Sequence, residues 1–437
     1  SMSSQLTRRE MLRATALAGG VWVAGQRAAA ITKSPNEKLN VACVGVGGRG
    51  GANVNAAARE GENIVALCDV DDERAGSAFE RFPKARKYYD FRRMLDDLDK
   101  QIDAVVVSTP DHTHAAPSVM AMRMGKHVYC EKPLGQNVHE VRIAAEVARQ
   151  KGVATQMGIG NHSTETFRRV VELIQAGTIG DVREVHAWCD QSWGGRNRPK
   201  DTPPVPEHLN WDLWLGPAPY RPYHPAYHPI TWREFWDFGN GRLGDIGIHV
   251  LDLPFWALGL KHPTSVEAEG PPVNPEGTPK RMIARWTFPA RGDLPPVTMT
   301  WHHGGKRPGI WKEANLPDWP IAVLFVGSDG MLIAEIERIP PRFELHPKEK
   351  FADFEPPVRT IPRSIGHANE WLLACKTGKP TTCGFDYSGP LTETVLLGNV
   401  AYRAGEKLEW DAENLKATNC PKANQFIRRE YRNGWSL

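Results

Sequence analysis

The sequence is poor in three features that mark common protein classes: cysteine, long apolar runs and an excess of one charge. Its seven cysteines are too sparse among 437 residues, and odd in number, to form a disulfide scaffold. The 54 Lys and Arg residues nearly balance the 51 Asp and Glu residues, so the formal charge is +3. This balance lacks the concentrated basic face of a nucleic-acid-binding protein, and we expect no nucleic-acid partner.

The remaining composition is that of a globular protein. A hydrophobic fraction of 41% and a charged fraction of 24% argue against a disordered chain and against a polytopic membrane protein. At roughly 150 residues per domain, the length predicts two or three domains, each with its own core. Tryptophan and proline are abundant, with 15 and 35 residues, and many of them lie in residues 190–240. We predict that this stretch is a long irregular loop.

The first thirty residues have the features of a targeting segment. Arg8 and Arg9 precede a weakly apolar run over residues 14–25, and a small-residue site follows. At about a dozen residues, this run is too short to cross a bilayer as a helix, so we expect no membrane span. The arginine pair resembles a twin-arginine signal, which exports folded proteins. We therefore expect residues 1–30 to be a signal and the protein to be periplasmic, although an accidental arginine pair in a frayed N-terminus is the alternative.

A glycine-rich turn follows the first predicted strand. Residues 38–44 are an apolar run typical of a buried strand, residues 45–50 read GVGGRG, and residues 52–59 have a helical pattern. In this context the glycines make a tight turn, let the backbone approach a pyrophosphate and let the helix pack on the strand. The turn therefore predicts dinucleotide binding. Its predicted cofactor-binding residues are Gly45, Gly47, Gly48, Arg49 and Gly50.

An acidic residue ends the second predicted strand, over residues 63–69. Asp69 lies where a carboxylate accepts hydrogen bonds from an adenosine ribose and repels a 2′-phosphate. NAD is therefore favoured over NADP as the cofactor. Asp71 and Asp72 follow closely, and any of the three carboxylates can cap the next helix instead.

Two further predicted strands end in polar clusters. The strand over residues 102–107 precedes the sequence STPDHTH, and the strand over residues 127–130 precedes Glu-Lys-Pro. In an open parallel sheet, ligands bind beyond the carboxyl ends of the strands, so both clusters are expected beside a nicotinamide ring. The alternation of strands and helices predicts a doubly wound parallel sheet, with a Rossmann domain over residues 31–160. The cofactor-binding residues predicted in these clusters are Thr109, Pro110, His114, Glu131 and Lys132.

Four of these features together resemble the Gfo/Idh/MocA oxidoreductase family, named after glucose–fructose oxidoreductase, inositol dehydrogenase and a rhizopine catabolism protein. They are the glycine turn, Thr109-Pro110 with His114, Glu131-Lys132-Pro133, and the sequence GDIGIHVLD at residues 244–252. The resemblance spans about residues 38–400. It implies a C-terminal α/β domain with a large, mostly antiparallel sheet, often used in oligomer contacts. We assign residues 161–437 to this domain and expect a dimer or tetramer.

The sequence of the second half agrees with that architecture. Apolar alternation predicts strands over residues 182–188, 281–288, 297–302 and 321–327, and Asp329-Gly330 is typical of a hairpin turn. Helical spacing occurs over residues 366–377 and 391–404. The loop over residues 190–240 is expected to wrap toward the active-site cleft.

The resemblance implies three catalytic residues: Lys132, Asp245 and His249. Asp245 and His249 are four residues apart, which places both on one helical face. Because the ordinary pKa of histidine lies near neutrality, His249 is the best candidate base. Lys132 can stabilise charge on the reacting oxygen and is a rival acid or base, while Asp245 would orient His249 or the substrate. Further candidates for substrate contacts are Asn161, Trp232 and His302.

Each of these residues also has a purely structural interpretation. Lys132 can be a solvated loop lysine, and His249 can be a core histidine with Asp245 as a helix cap. His112 and His114 resemble the start of a metal site, but the sequence supplies no clear second pair of ligands. We therefore predict no metal.

The sequence thus favours an NAD-dependent oxidoreductase that transfers hydride between a bound nicotinamide and a secondary hydroxyl of a sugar or polyol. One alternative is an NAD-dependent glycosidase, which oxidises a sugar transiently and recycles the cofactor. Residues 241–247 resemble the dehydrogenase-type motif rather than the histidine pattern of the family's glycosidase branch. A non-catalytic sugar-binding protein is the third hypothesis, although it would not need Lys132 together with His249.

Overall fold

Two β-sheets organise the chain in the computed structural model, which describes residue 34, residues 36–336 and residues 342–437. The predicted signal over residues 1–30 lies outside the described residues. Within the described part of the chain, no helix combines the length and the apolar character needed to cross a bilayer.

The first sheet has six strands, in the order β3-β2-β1-β4-β5-β6, and every neighbouring pair is parallel. Its strands are β1 (Asn40–Val44), β2 (Asn63–Cys68), β3 (Arg86–Tyr88), β4 (Ala104–Val107), β5 (His127–Glu131) and β6 (Thr155–Gly158). The helices between them are α1 (Arg49–Arg59), α2 (Asp72–Arg81), α3 (Phe91–Asp97), α4 (Ala115–Arg123) and α5 (Val138–Lys151). Alternate residues of β1 lie in two separate apolar cores, as expected for a sheet buried on both faces. The predicted doubly wound parallel sheet is confirmed.

The second sheet has nine strands, in the order β13-β12-β11-β7-β10-β9-β8-β14-β15, and is antiparallel except where β10 pairs with β7. Its strands are β7 (Val182–Cys189), β8 (Ser265–Glu269), β9 (Met282–Phe288), β10 (Val297–His303), β11 (Ile321–Gly327), β12 (Met331–Glu335), β13 (Arg342–His346), β14 (Leu408–Asp411) and β15 (Lys416–Ala417). The helices of this half are α6 (Glu165–Gln175), α7 (Trp211–Leu215), α8 (Ile248–Ala257), α9 (Gly309–Glu313), α10 (His367–Thr377) and α11 (Phe385–Ala404). The predicted large, mostly antiparallel sheet is confirmed.

The helices do not follow the predicted division of the chain at residue 160. The parallel sheet ends with β6 at Gly158, but α10 returns from the second half to the first sheet. Its buried residues Trp371, Leu372 and Cys375 belong to the same apolar core as alternate residues of β1. Helix α10 of the second half thus helps α1 and α2 to cover one face of the first sheet, so the two halves share an apolar core.

The contact between the glycine turn and α1 is close enough to require a residue without a side chain. A Cβ atom on Gly50 would lie 2.0 Å from the carbonyl oxygen of Gly45. Gly76 in α2 provides a contrast, because a Cβ atom there would meet no atom within 4 Å. Two helical glycines thus differ in whether the fold tolerates a methyl group.

We expect Gly50→Ala to lower the free energy of unfolding by about 1–3 kcal/mol, since the added methyl group forces α1 away from the turn. Gly76→Ala should raise it by about 0.5–1 kcal/mol, because alanine restricts the unfolded chain. Urea unfolding of both variants measures the two effects. Equal stability of the two variants would show that the close approach at Gly50 is not a packing constraint.

Candidate active site

A cavity of about 1150 Å³ lies beyond the carboxyl ends of β1, β2, β4, β5 and β6. It brings together most of the residues that the sequence predicted for the site. The predicted residues that line it are Gly45, Gly47, Arg49, Asp69, Thr109, Pro110, His114, Glu131, Lys132, Asn161, Trp232, Asp245 and His249. Gly48, Gly50 and His302 do not line it. Gly48 and Gly50 belong to the turn itself, whereas His302 lies elsewhere.

Asp69 is bonded to the glycine turn. Its Oδ2 accepts hydrogen bonds from the backbone N–H groups of Val46 and Gly47, at 2.8 and 3.2 Å. Burial raises the pKa of Asp69, and these backbone hydrogen bonds oppose the rise. The neighbouring Asp71 caps α2, since its Oδ1 accepts from the Arg74 N–H at 3.1 Å. Asp69 therefore shapes the turn and lines the cavity, and the capping role left open by the sequence falls to Asp71.

Glu131 joins the start of α1 to the end of β5. Its Oε1 accepts from Arg49 Nε at 3.0 Å and from Asn53 Nδ2 at 2.8 Å. Asn53 Nδ2 also donates to Ser108 Oγ, at 3.0 Å, just beyond β4. These contacts join α1 to two strand ends at the cavity, and Arg49 lies at the helix N-terminus, where anions bind.

His114 links the two polar clusters. Its Nδ1 lies 2.6 Å from the Pro133 carbonyl oxygen, and its Nε2 lies 2.6 Å from the Thr109 carbonyl oxygen. Both ring nitrogens are thus engaged by the backbone. Nε2 of His112 contacts the carbonyl oxygen of Trp214 instead, at 2.8 Å. Among residues 36–336 and 342–437, no group of three or more His, Cys, Asp or Glu side chains could hold a metal ion.

Lys132 and Asp245 form an ion pair across the cavity. Lys132 Nζ donates to Asp245 Oδ1 and to the Asp245 carbonyl oxygen, both at 2.6 Å. Asp245 lies in a π-helical turn (Leu243–Gly247) that runs directly into α8, and His249 lies in the first turn of that helix. The π-turn had no signal in the sequence, and such turns often occur at functional sites.

The environment of His249 differs from what the sequence suggested. Burial and the positive charge of Lys132 lower the pKa of His249 to about 3. Its imidazole is therefore neutral near pH 7, and the ordinary pKa that suggested His249 as the base does not apply in the folded protein. Burial alone would raise the pKa of Asp245, but the charges of Lys132 and Arg233 hold it well below its usual range. Asp245 is therefore ionised and is paired with two cationic side chains, Lys132 and Arg233.

Two residues of the site were not predicted as substrate or catalytic residues. Arg233 Nε donates to Asp245 Oδ1 at 3.2 Å. Asp111 lines the cavity and accepts from Asn240 Nδ2 at 3.2 Å, and its burial raises its pKa to about 6. Asp111 belongs to the polar cluster STPDHTH that follows β4, but the sequence gave it no role in binding or catalysis. Arg233 lies in the tryptophan-rich loop over residues 190–240. No pattern in the sequence indicated that its side chain contacts Asp245.

The loop over residues 190–240 crosses onto the nucleotide-binding half of the cavity. Asp71 Oδ2 lies 2.6 Å from His228 Nε2, and the Asp72 N–H donates to the His208 carbonyl oxygen at 2.9 Å. At the other side of the cavity, Arg233 lies 4.2 Å from the ring centre of Trp232. The loop thus contributes to both ends of one cavity.

The C-terminal segment lines the nucleotide-binding end of the cavity. Trp435 lines it, with the Arg92 guanidinium 4.1 Å from its ring centre. Arg92 Nη1 also donates to the Gly434 carbonyl oxygen, at 2.9 Å. Farther back, Arg429 Nε is anchored to the buried Glu140 at 2.9 Å. No periodic pattern in the sequence indicated that Trp435 lies against Arg92.

His302 is not a residue of this cavity. On β10, Trp301 lies in the core beneath the helices, so alternation along the strand turns His302 to the opposite face. There its Nε2 lies 3.4 Å from His186 Nδ1 on the neighbouring strand. The expectation that His302 contacts substrate is corrected, because a position at a strand end did not reveal which face its side chain occupies.

Comparisons with known proteins agree with this geometry. Residues 39–159 match the family model described as the oxidoreductase family, NAD-binding Rossmann fold, of Gfo/Idh/MocA proteins. Residues 176–287 match the C-terminal alpha/beta domain of the same family. These matches confirm the predicted NAD-binding Rossmann domain.

Individual relatives are more distant. Levoglucosan dehydrogenase of Pseudarthrobacter phenanthrenivorans is 25% identical over 194 residues, which cover 44% of this chain and 42% of that protein. A glycosyl hydrolase family 109 protein of Solibacter usitatus is 33% identical over 150 residues, covering 31% and 34% of the two chains. The chain thus spans less than half of each. The WlbA dehydrogenase structure from Bordetella pertussis, in complex with NADH and UDP-GlcNAcA, has the same fold, with a TM-score of 0.61, 17% identity and coverage of 87% and 99%.

The raised pKa of Asp111 predicts a pH dependence of stability. The unfolded chain ionises this carboxyl near its usual pKa, about 4, whereas the folded protein holds the proton up to about pH 6. Ionisation therefore favours unfolding, and stability falls by roughly 3 kcal/mol as the pH rises from about 4 to above 6. Asp111→Asn should remove this fall, since its amide oxygen can still accept from Asn240.

Urea unfolding of the parent and Asp111→Asn across pH 4–8 tests this, with the difference between their free energies as the readout. Asp293→Asn, at an exposed turn, is the matched control and should give a difference independent of pH. A flat difference for Asp111→Asn as well would contradict the prediction.

Proposed function

The chain belongs to the Gfo/Idh/MocA oxidoreductase family, and from that premise we propose that it is an NAD-dependent oxidoreductase acting on a secondary hydroxyl of a sugar or polyol. The observation that carries the proposal is the Lys132–Asp245 ion pair, which shares one cavity with the glycine turn and Asp69. A proton-exchanging group and a dinucleotide-binding turn in one cavity are what alcohol oxidation needs.

The residues on the nucleotide side fit NAD. Arg49 and the glycine turn would hold the pyrophosphate, and the Asp69 carboxylate favours a ribose without a 2′-phosphate. Thr109 Oγ1 is buried at the cavity and has no hydrogen-bond partner within the described chain, so it has a free position for a ligand. The cavity also exceeds the range of about 300–1000 Å³ typical of a single-ligand pocket, which leaves room for a substrate beside the cofactor.

Bound NAD supplies the hydride acceptor. As the C–H bond of the substrate breaks and its electron pair leaves with the hydride, the hydroxyl proton passes to the Lys132 amine, and a ketone remains. Asp245 stays ionised and stabilises the protonated Lys132 that results. The neutral imidazole of His249 orients the hydroxyl by a hydrogen bond. The reverse steps reduce the ketone, with Lys132 as the acid.

We also propose that the cofactor remains bound during export. The loop over residues 190–240 and the C-terminal segment both cover the nucleotide end of the cavity, through His228 and Trp435. A twin-arginine signal, which residues 1–30 resemble, transports proteins already folded. Under this proposal the protein works in the periplasm with resident NAD, as a dimer or tetramer that uses the large sheet.

A second candidate function is an NAD-dependent glycosidase. The loop and the C-terminal segment that line the nucleotide end favour it, as does the similarity to the glycosyl hydrolase family 109 protein. In that reaction the sugar hydroxyl is oxidised, the aglycone leaves by elimination, water adds, and the hydride returns to the sugar. The cofactor is regenerated in each cycle, so no external NAD is consumed.

Mass spectrometry of the supernatant after denaturation of the purified protein should detect NAD near one equivalent per chain. Its absence, together with no binding of added NAD or NADH by calorimetry, would rule out both proposed functions. Detection of NADP instead would contradict the role given to Asp69.

Lys132→Ala should lower turnover of a polyol or sugar panel that includes myo-inositol and levoglucosan by at least about 100-fold, because the proton-exchanging group is lost. NAD content should stay unchanged, and Lys151→Ala, at an exposed lysine, is the control for loss of a lysine charge. Net NADH formation supports the oxidoreductase. Turnover of nitrophenyl glycosides without net NADH supports the glycosidase, and full activity of Lys132→Ala would refute both mechanisms.

A further inference from the structure

Arg233 reaches the Lys132–Asp245 pair from the loop over residues 190–240. It lies in a short helical turn, Thr231–Glu234, and its Nε donates to Asp245 Oδ1 at 3.2 Å. Lys132 Nζ donates to the same oxygen at 2.6 Å. One carboxylate oxygen is therefore shared by two cationic side chains that come from different parts of the chain.

Three contacts fix the position of Arg233. Its guanidinium stacks 4.2 Å from the ring centre of Trp232, and its Nη1 donates to the Ile230 carbonyl oxygen at 3.1 Å. The backbone is held as well, because a Cβ atom on Gly239 would lie 2.5 Å from the Arg233 Cα. A long side chain that is otherwise mobile is thus held in one orientation toward Asp245.

The shared oxygen has a consequence for the Lys132 proton. In a two-membered buried ion pair, loss of that proton would leave the Asp245 carboxylate without a compensating charge, which is costly. Arg233 remains charged throughout, so Asp245 keeps a cationic partner when the Lys132 amine is neutral. Because Lys132 Nζ and Arg233 Nε both contact Oδ1, at 2.6 and 3.2 Å, they lie within about 6 Å of each other. At that distance one positive charge makes a second one less favourable.

The groups near Lys132 act on its proton in different directions. Asp111 and Asp245 favour the protonated amine, Arg233 opposes it, and the imidazole of His249 is neutral near pH 7. These four groups comprise two carboxyls, one permanent cation and one neutral imidazole, and Arg49 and Glu131 line the same cavity as a further ion pair. Arg233 is the member of this set that favours release of the Lys132 proton.

We propose that Arg233 is a positioning residue for hydride transfer: it holds Asp245 ionised and lets Lys132 release and regain its proton. This inference rests on the proposed function, in which Lys132 exchanges a proton with the substrate hydroxyl. It adds a role for the loop, which supplies a charge to the chemistry in addition to covering the cavity.

The test is the titration of Lys132 itself, measured from the pH dependence of its acetylation by acetic anhydride with mass spectrometry of the Lys132 peptide. The purified full chain is used, with Arg233→Gln and Arg233→Met as neutral variants and Arg233→Lys as the charge-retaining variant. The Lys132 midpoint should rise by about one pH unit in both neutral variants, because a neighbouring positive charge is lost. In Arg233→Lys it should change by less than about a third of that shift.

Arg196→Gln is the matched control. Arg196 lies in the same loop and pairs with Glu234, next to Arg233, at 2.9 Å, but it does not line the cavity. This variant should leave the Lys132 midpoint unchanged. Thermal unfolding identifies any variant that fails to fold. Arg233→Met keeps the apolar stem on Trp232, so it can be used for the measurement if Arg233→Gln does not fold.

An unchanged or lowered midpoint in a folded neutral variant overturns the inference, as does an equal rise in Arg196→Gln. Where turnover is measurable, the acid limb of the kcat–pH profile should move by the same amount in the same direction, while a purely structural role would lower kcat at every pH without moving the limb. Acetylation requires neither substrate nor NAD. If the protein has no dehydrogenase activity, the proposed function is refuted. The acetylation experiment would still show whether Arg233 controls the Lys132 proton.

Discussion

The ion pair between Lys132 and Asp245 is the contact on which the arrangement of the site depends. Lys132 follows a strand of the parallel sheet, and Asp245 precedes the helix α8, which packs on the second sheet, so their 2.6 Å contact joins the two halves across the cavity. A partly buried pair of this kind is stable only when its remaining hydrogen-bonding groups are satisfied. The π-turn presents both the carboxylate and the carbonyl oxygen of Asp245 to one ammonium group. Arg233 approaches the same carboxylate from the loop, so a strand end, the loop and the π-turn converge on one oxygen.

The sequence predicted the parts of this structure that depend on local pattern. The parallel strands, the glycine turn and the polar clusters beyond β4 and β5 follow from apolar runs and from the residues that end them. Lys132, Asp245 and His249 came from a family resemblance, and the structure places all three at one cavity. Local pattern could not reveal contacts between segments far apart, such as Trp435 with Arg92 or α10 with the first sheet. It also gave no sign that Arg233 turns toward Asp245, which follows it twelve residues later.

Two expectations from the sequence depended on surroundings that the sequence does not show. His302 was placed by its position at a strand end, but alternation along β10 sends it to the opposite face of the sheet. His249 was assigned as a base from its ordinary pKa, but burial beside Lys132 lowers that pKa to about 3. In both cases the residue type and its position in the chain were correct, and the surroundings decided the chemistry. The direction and burial of a side chain are set by tertiary packing, which one sequence does not disclose.

The closing contact between Arg92 and Trp435 also has a consequence for biosynthesis. Translation proceeds from the N-terminus, and N-terminal domains generally begin to fold while later residues are still being added. The strands and the glycine turn that recognise the nucleotide emerge from the ribosome early, whereas Trp435 emerges long afterwards. α10, which covers one face of the same sheet, also emerges late. The strands and the turn of the nucleotide site are thus synthesised well before the two segments that complete their packing, so the finished cavity forms only after the last residues of the chain have been added.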